Sequence, residues 1–171
     1  RDAKVAIARK AVEIIEDGSS IAIDTGSTSG FIALALRTRK KLSVVTNSAF
    51  VASTLAIIPG NKVSMAGTQL RDHDGAAFDR SAVDVIERML VDYVVLSASM
   101  VDANKGFLVH EQCEVDIVSA MLKNAQCTIM AVDHSKFLPQ DRRPALRQPP
   151  LKANDILISD RHPPDQFNAL L

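Results

Sequence analysis

No excess of either charge marks this chain. Its 20 basic residues offset 20 acidic ones over 171 positions, for a formal net charge of zero. Surfaces that grip nucleic acid carry a basic stripe or excess, so direct DNA contact is not expected of these residues. Only two cysteines occur, Cys113 and Cys127, and they form no CxxC pair. That argues against a cysteine zinc cluster or a disulfide framework, and a reducing cytosol is the expected setting. No apolar run reaches the roughly 18 residues of a membrane span, and no charged-then-apolar leader opens the sequence. His73 and His134 lack partners at metal-ligand spacing, so no metal is expected. No repeat, low-complexity stretch or composition shift divides the chain, and residues 1–171 read as one domain. The first residue is Arg1, which reads as a fragment of a longer protein.

What is present is enough apolar material for a full core, 47% of the residues, in alternating strand-like and helix-like segments. Apolar residues from Ala3 to Ile15 recur at helical spacing and stop at Glu16-Asp17-Gly18. Strands are expected at Ile21–Ile23, Leu42–Thr46, Lys62–Ala66, Asp92–Ser97, Cys127–Val132 and Ile156–Ser159. Helices are expected at Phe31–Leu36, Ser48–Ile57, Ser81–Met89, Glu114–Lys123 and, briefly, after Pro163-Pro164. Strands that are apolar throughout and separated by helices indicate an α/β fold, a mainly parallel central sheet with helices on both faces. Ligands in such folds bind beyond the carboxyl ends of the strands. The loops there are small and polar: Asp24 to Ser29, Thr46-Asn47-Ser48, Gly67-Thr68-Gln69, Ser97 to Ser99 and Asp133 to Lys136. The proline- and arginine-rich stretch Pro139–Pro150 reads as a solvated connection, or as a mobile lid over the site.

The stretch Ile21 to Gly30 carries the most information, because an apolar strand meets small hydroxyl residues and glycine, and a helix follows. Free amides and the dipole at such a helix start favour an anion, most often a phosphate. Capping of the helix by Ser27 or Thr28 is the ordinary alternative. The loop lacks the Lys-Ser/Thr ending of a nucleotide P-loop and the GxGxxG dinucleotide spacing, so neither cofactor class is expected. Asp24 beside a phosphate would repel it, so it faces sugar hydroxyls or caps the loop amides. Lys136 and Arg71 are candidate cations for the anion, against the alternative of ordinary surface residues. Glu111 and Glu114 either complement a helix dipole or bind a sugar, or do acid–base work.

Taken in order, these segments resemble the C-terminal effector-sensing domain of DeoR-family bacterial transcriptional repressors. The series runs Glu16-Asp17-Gly18, Asp24-Thr25-Gly26-Ser27-Thr28-Ser29, Val44-Val45-Thr46-Asn47-Ser48, Ala66-Gly67 before Leu70-Arg71, and Val91-Asp92. It continues with Ser97-Ala98-Ser99, Gly106-Phe107, Glu111, Glu114-Val115 and Asp133-His134-Ser135-Lys136-Phe137. Each is common alone, and their order and spacing together are specific. The resemblance implies a fold similar to ribose-5-phosphate isomerase and coenzyme A transferases. It also implies a winged helix-turn-helix reader that precedes the sensor and has no counterpart in these residues, and a phosphorylated sugar or related metabolite as effector. Gly26, Ser27, Thr28 and Ser29 would then lie nearest the phosphate, Thr46 and Asn47 would line the next loop, Glu111 would bind hydroxyls and Lys136 anionic oxygens. Gly67, Arg71, Ser97 and Glu114 are second-rank candidates. Phe78-Asp79 stands where many members have glycine-proline, and His110-Glu111-Gln112-Cys113 replaces a common Asn-Glu-Glu-Ala pattern.

Two other functions compete with a sensor. An isomerase of this fold carries paired aspartates after a central strand and then a glycine-rich run with a lysine. Here the stretch reads Ser97-Ala98-Ser99-Met100 and no glycine-rich run precedes Glu114, so catalysis is not expected. A pure oligomerisation module would bind no small ligand. A homodimer or homotetramer is expected in either regulatory case, because palindromic operators mirror protein symmetry.

Overall fold

A computed structural model describes residues 1–171. Helix α1 (Asp2–Ile14) leads to strand β1 (Ser20–Ile23), α2 (Ser27–Leu36), β2 (Ser43–Thr46), α3 (Ala49–Ala56), β3 (Lys62–Met65), α4 (Arg80–Glu87) and β4 (Val91–Leu96). Then follow β5 (Met100–Asp102), β6 (Gly106–Val109), α5 (Gln112–Leu122), β7 (Ala125–Ala131), β8 (Leu146–Arg147) and β9 (Ile156–Ile158). Short 3-10 turns span His134–Phe137 and Asp165–Leu170. No helix is long and apolar enough to cross a membrane.

Six strands form one parallel sheet in the order β3-β2-β1-β4-β7-β9. The α/β class expected from the sequence is the one observed. Successive residues of each strand point to opposite faces, and both faces are covered. Ile21, Ile23, Val44, Val95, Ile129 and Ala131 pack under α1, α2 and α3. Ala22, Val45, Val94, Leu96, Met130 and Val132 pack under α4 and α5. This explains why the strands read as continuous apolar runs without alternation. Chain order reverses between β1 and β4, because β2 and β3 lie to one side of β1 and β4, β7 and β9 to the other. A crevice opens at such a reversal, beyond the carboxyl ends of the two strands. At the opposite end, Ser20 and Asp92 lock the pair. Asp92 Oδ2 accepts from the Ser20 N–H at 2.9 Å, and the Asp92 N–H donates to Ser20 Oγ at 2.8 Å.

A second, three-stranded antiparallel sheet, β5-β6-β8, was not expected. Its strands are two to four residues long, too short for a period-2 pattern to register. It corrects the reading of Pro139–Pro150 as a purely solvated connection. Within that stretch Leu146 and Arg147 pair with Val109 and Leu108, and Gln148 is buried. The expected C-terminal helix is a 3-10 turn whose Phe167 packs edge-on against Phe137, ring centres 5.0 Å apart.

The two faces predict a sharp contrast. Ile32 of α2 is fully buried and Ile57 is 75% exposed. Urea denaturation should show Ile32→Ala losing about 2–5 kcal/mol and Ile57→Ala changing stability by less than about 0.5 kcal/mol.

Candidate functional site

A cavity of about 220 Å³ opens at the reversal point. It is lined by residues 24–28 after β1, Ser97, Ala98 and Ser99 after β4, and by Arg71, Asp74, Val109, Glu114, Lys136 and Gln148. Its volume lies below the roughly 300–1,000 Å³ of sites for drug-sized ligands, so it suits a small metabolite.

The wall after β1 is built around an open helix start. Gly26 occupies the N-cap of α2 at φ 129°, a conformation that favours glycine, and no side chain caps the helix. Neither Ser27 nor Thr28 serves as the cap, which removes the ordinary reading of those hydroxyls. The Ser27, Thr28 and Ser29 amides have no intrahelical carbonyl within reach and take no other backbone partner. Neighbouring turns differ. Ser48 Oγ caps α3 by accepting the Val51 N–H, Glu111 and Glu114 form a reciprocal capping box on α5, and Asp133 caps the 136 turn. The open end therefore faces the cavity with its dipole uncompensated by the protein's own caps.

Two lysines reach this end. Lys136 lines the cavity and makes no ion pair. Lys4, on α1, donates to Ser27 Oγ at 2.6 Å. Both help hold the Asp133 carboxyl below its usual range, in which the Ser135 hydroxyl and amide outweigh burial. Helical periodicity gave Lys4 no distinguishing signal, because only the packing of α1 on α2 brings it to the loop.

The other wall is acidic. Burial pushes the Asp24 carboxyl from 3.8 up to about 7, against the opposing pull of the Thr25 amide and the Asn47 side chain. The Thr25 N–H donates to Asp24 Oδ1 at 2.7 Å. Glu114 adds repulsion to Asp24, although its own Oε1 accepts the Glu111 N–H at 3.0 Å. Arg71 lies across the mouth, hydrogen-bonded to Asp74, 3.3 Å from Glu111 Oε1 and 4.1 Å above the Phe78 ring. Those bonds pull the Asp74 carboxyl down and push the Arg71 guanidinium up. Arg71 is thus committed to the protein, unlike Lys136.

Of the residues expected at the site, Asp24, Gly26, Ser27, Thr28, Arg71, Ser97, Glu114 and Lys136 line one cavity. Five do not. Ser29 points into the interior, 1% exposed, with Oγ unpartnered. Thr46 is fully buried and donates to the Ile23 carbonyl at 2.6 Å, so it ties β2 to β1 behind the loop. Asn47 is also fully buried and donates to the Ala77 carbonyl at 3.1 Å. Glu111 stands outside as the α5 cap and reaches the site only through Arg71. Gly67 serves packing, since a Cβ on it would lie 2.3 Å from Ala77 Cβ at a φ of 98°. Sequence reading missed Asp74, Val109 and Gln148. Each sits in or beside the unrecognised small sheet or in the 70–77 turn, whose bridge to Ser48 is a long-range contact.

The raised Asp24 carboxyl makes a linkage prediction. Between about pH 4 and pH 7 the folded chain keeps a proton that the unfolded chain has released, so stability falls as pH rises through this window. A rise from 3.8 to about 7 corresponds to about 4 kcal/mol at most. Asp24→Asn, neutral at every pH, should match wild type in Tm near pH 4 and exceed it increasingly up to pH 8. A constant difference across that range would refute the assignment.

Comparison with known proteins agrees with this architecture. A family model described as the DeoR C terminal sensor domain matches residues 1–161. The glycerol-3-phosphate regulon repressor of Escherichia coli (strain K12) is 32% identical over 161 residues, 94% of this chain and 63% of that protein. The HTH-type transcriptional repressor CsqR of the same organism is 31% identical over 134 residues, 78% of this chain and 51% of that one. The chain thus spans less than two thirds of the length of these relatives. Among solved structures, ribose 5-phosphate isomerase A from Methanocaldococcus jannaschii aligns with a TM-score of 0.56 at 19% identity, covering 80% of this chain and 54% of its own. The delta subunit of eIF2B from Chaetomium thermophilum aligns at 0.63 and 16%, covering 94% and 56%. These low identities speak for the fold alone. The match across nearly the whole chain shows that this protein belongs to the DeoR C-terminal sensor family.

Proposed function

We propose that residues 1–171 form one effector-sensing domain. It binds a small phosphorylated sugar or polyol and thereby changes the operator affinity of a DNA-binding domain elsewhere in the full protein. The observation that carries this reading is the uncapped N-terminus of α2, with its free amides, opening into the same cavity as the unpaired Lys136. A phosphate monoester there gains amide donors, a helix dipole and a cation. Asp24, Asp74 and Glu114 lie in the same cavity and accept from ligand hydroxyls. The cavity volume and the name of the glycerol-3-phosphate regulon repressor both favour a ligand of a few carbons. The effector acts on DNA binding only through its different affinities for two states of the protein.

The isomerase-like fold and an Asp24 carboxyl near pH 7 support a second reading, sugar-phosphate isomerisation, because a base poised near neutrality suits proton transfer. Against it, Glu114 is engaged in capping α5, and Ser97 and Ser99 occupy the loop after β4 where that chemistry needs carboxylates.

Calorimetry with triose, pentose and hexose phosphates and their dephosphorylated parents tests both readings. Lys136→Ala and Ser27→Ala should each weaken the phosphate-bearing ligand by about tenfold and leave the parent unchanged. Equal losses on both would overturn the phosphate assignment. Turnover of ribose 5-phosphate at enzyme-like rates would overturn the regulatory reading.

A further inference from the structure

Helix α1 buries one stripe, Ile7, Ala8 and Ala11, in the same core as Ile32, Ala33 and Leu36 of α2. Lys4 stands one turn before Ile7 and Ala8, on the same helix face. It is half-buried, and lysine is an unusual residue with which to extend an apolar stripe. The packing carries it to the start of α2, where Nζ lies 2.6 Å from Ser27 Oγ. The fold's own electrostatics do not account for that place. The start of a helix favours anions over cations, and no side chain caps this one. Lys136 lines the cavity at the same end, and neither lysine forms an ion pair. Asp133 is taken up by the Ser135 amide, at 2.9 Å, and by the Ser135 hydroxyl. Two cations therefore stand at the positive end of a helix without an ion-pair partner.

The bond from Lys4 also has a direction. An ammonium only donates, so Ser27 Oγ is the acceptor and the hydroxyl keeps its own hydrogen. Ser27 is exposed, lines the cavity and has no other side-chain hydrogen bond. Its O–H is thus a spare donor beside the free α2 amides, polarised by the ammonium bonded to its oxygen. We propose that Lys4 is a positioning residue for the effector's phosphate, holding Ser27 Oγ as an acceptor and so committing the Ser27 hydroxyl to donate to a phosphate oxygen. The inference rests on the phosphate reading above and deepens it. Without Lys4, Ser27 is free to turn and to accept from a ligand hydroxyl, so the site loses part of its preference for a head group that only accepts. A phosphate monoester, with acceptor oxygens and about −1.5 to −2 charge at neutral pH, matches a donor backed by a cation. The uncharged parent alcohol gains nothing there.

The test is calorimetry with sn-glycerol 3-phosphate, ribose 5-phosphate and glucose 6-phosphate, each beside its dephosphorylated parent. Lys4→Met keeps an unbranched stem and removes the donor. It should weaken the tightest of these phosphates by about tenfold and leave the parent within about twofold. Lys4→Arg, which also only donates, should stay within about threefold of wild type. In a Ser27→Ala background Lys4→Met should cost no more than about a further twofold, because the two residues act through one bond. Arg9→Met removes an exposed charge from the same helix and should change nothing, which separates the bond from net charge. Lys4→Ala serves if the methionine variant does not fold. A full tenfold loss in both backgrounds, an equal loss for the parent, or no loss at all overturns the proposal and leaves the phosphate reading standing. Failure of wild type to bind any of the phosphates overturns the phosphate reading itself.

Discussion

A parallel sheet covered on both faces must keep its strands apolar, so its polar groups collect where the strands stop. In this protein that constraint concentrates chemistry at one place, the reversal of chain order between β1 and β4. Asp24 is the clearest consequence. The sheet delivers a carboxyl to a buried position at the end of β1, where desolvation works against its charge. A structure selected for stability alone would avoid this cost, and perturbed carboxyls of this kind gather at functional sites.

The surrounding groups divide into two ends. At one, the α2 amides, Lys136 and Lys4 present donors and positive charge. At the other, Asp24, Asp74 and Glu114 present acceptors. A ligand with an anionic head and a hydroxylated body fits that polarity, and a purely apolar or cationic one does not. Arg71 does not weight the site toward anions, because its bonds to Asp74 and Glu111 and its place over Phe78 occupy it. Lys4 also ties Ser27, at the open end of α2, to α1, the first helix of the chain.

Much of this was legible in the residues. The order strand, small-residue loop, helix at Ile21 to Leu36 needs only local rules, and so do the helical stop at Gly18 and the parallel-sheet class. The site was partly legible because strand-end loops in such sheets converge by topology. Thr46 and Asn47 lie on the expected loop yet turn inward, since the buried Ile23 and Ala77 carbonyls need donors. Gly67 has the look of a ligand loop and proves to be a close approach to Ala77 and Asp79. Pro139–Pro150 looked like a solvated connection because proline and arginine dominate it, and its one buried polar residue has no local mark.

Local pattern was therefore sufficient for most of the elements, their class and the small-residue loop that opens α2, because periodicity, turn residues and free helix amides act within a few positions of chain. Contacts between distant segments were needed for the rest. Lys4 meets Ser27 across 23 residues, Arg71 meets Glu111 across 40, and Gln148 meets Ser97 across 51. Such pairings depend on how helices and strands pack on one core, and burial of a polar atom such as Gln148 Oε1 exists only once that core has formed.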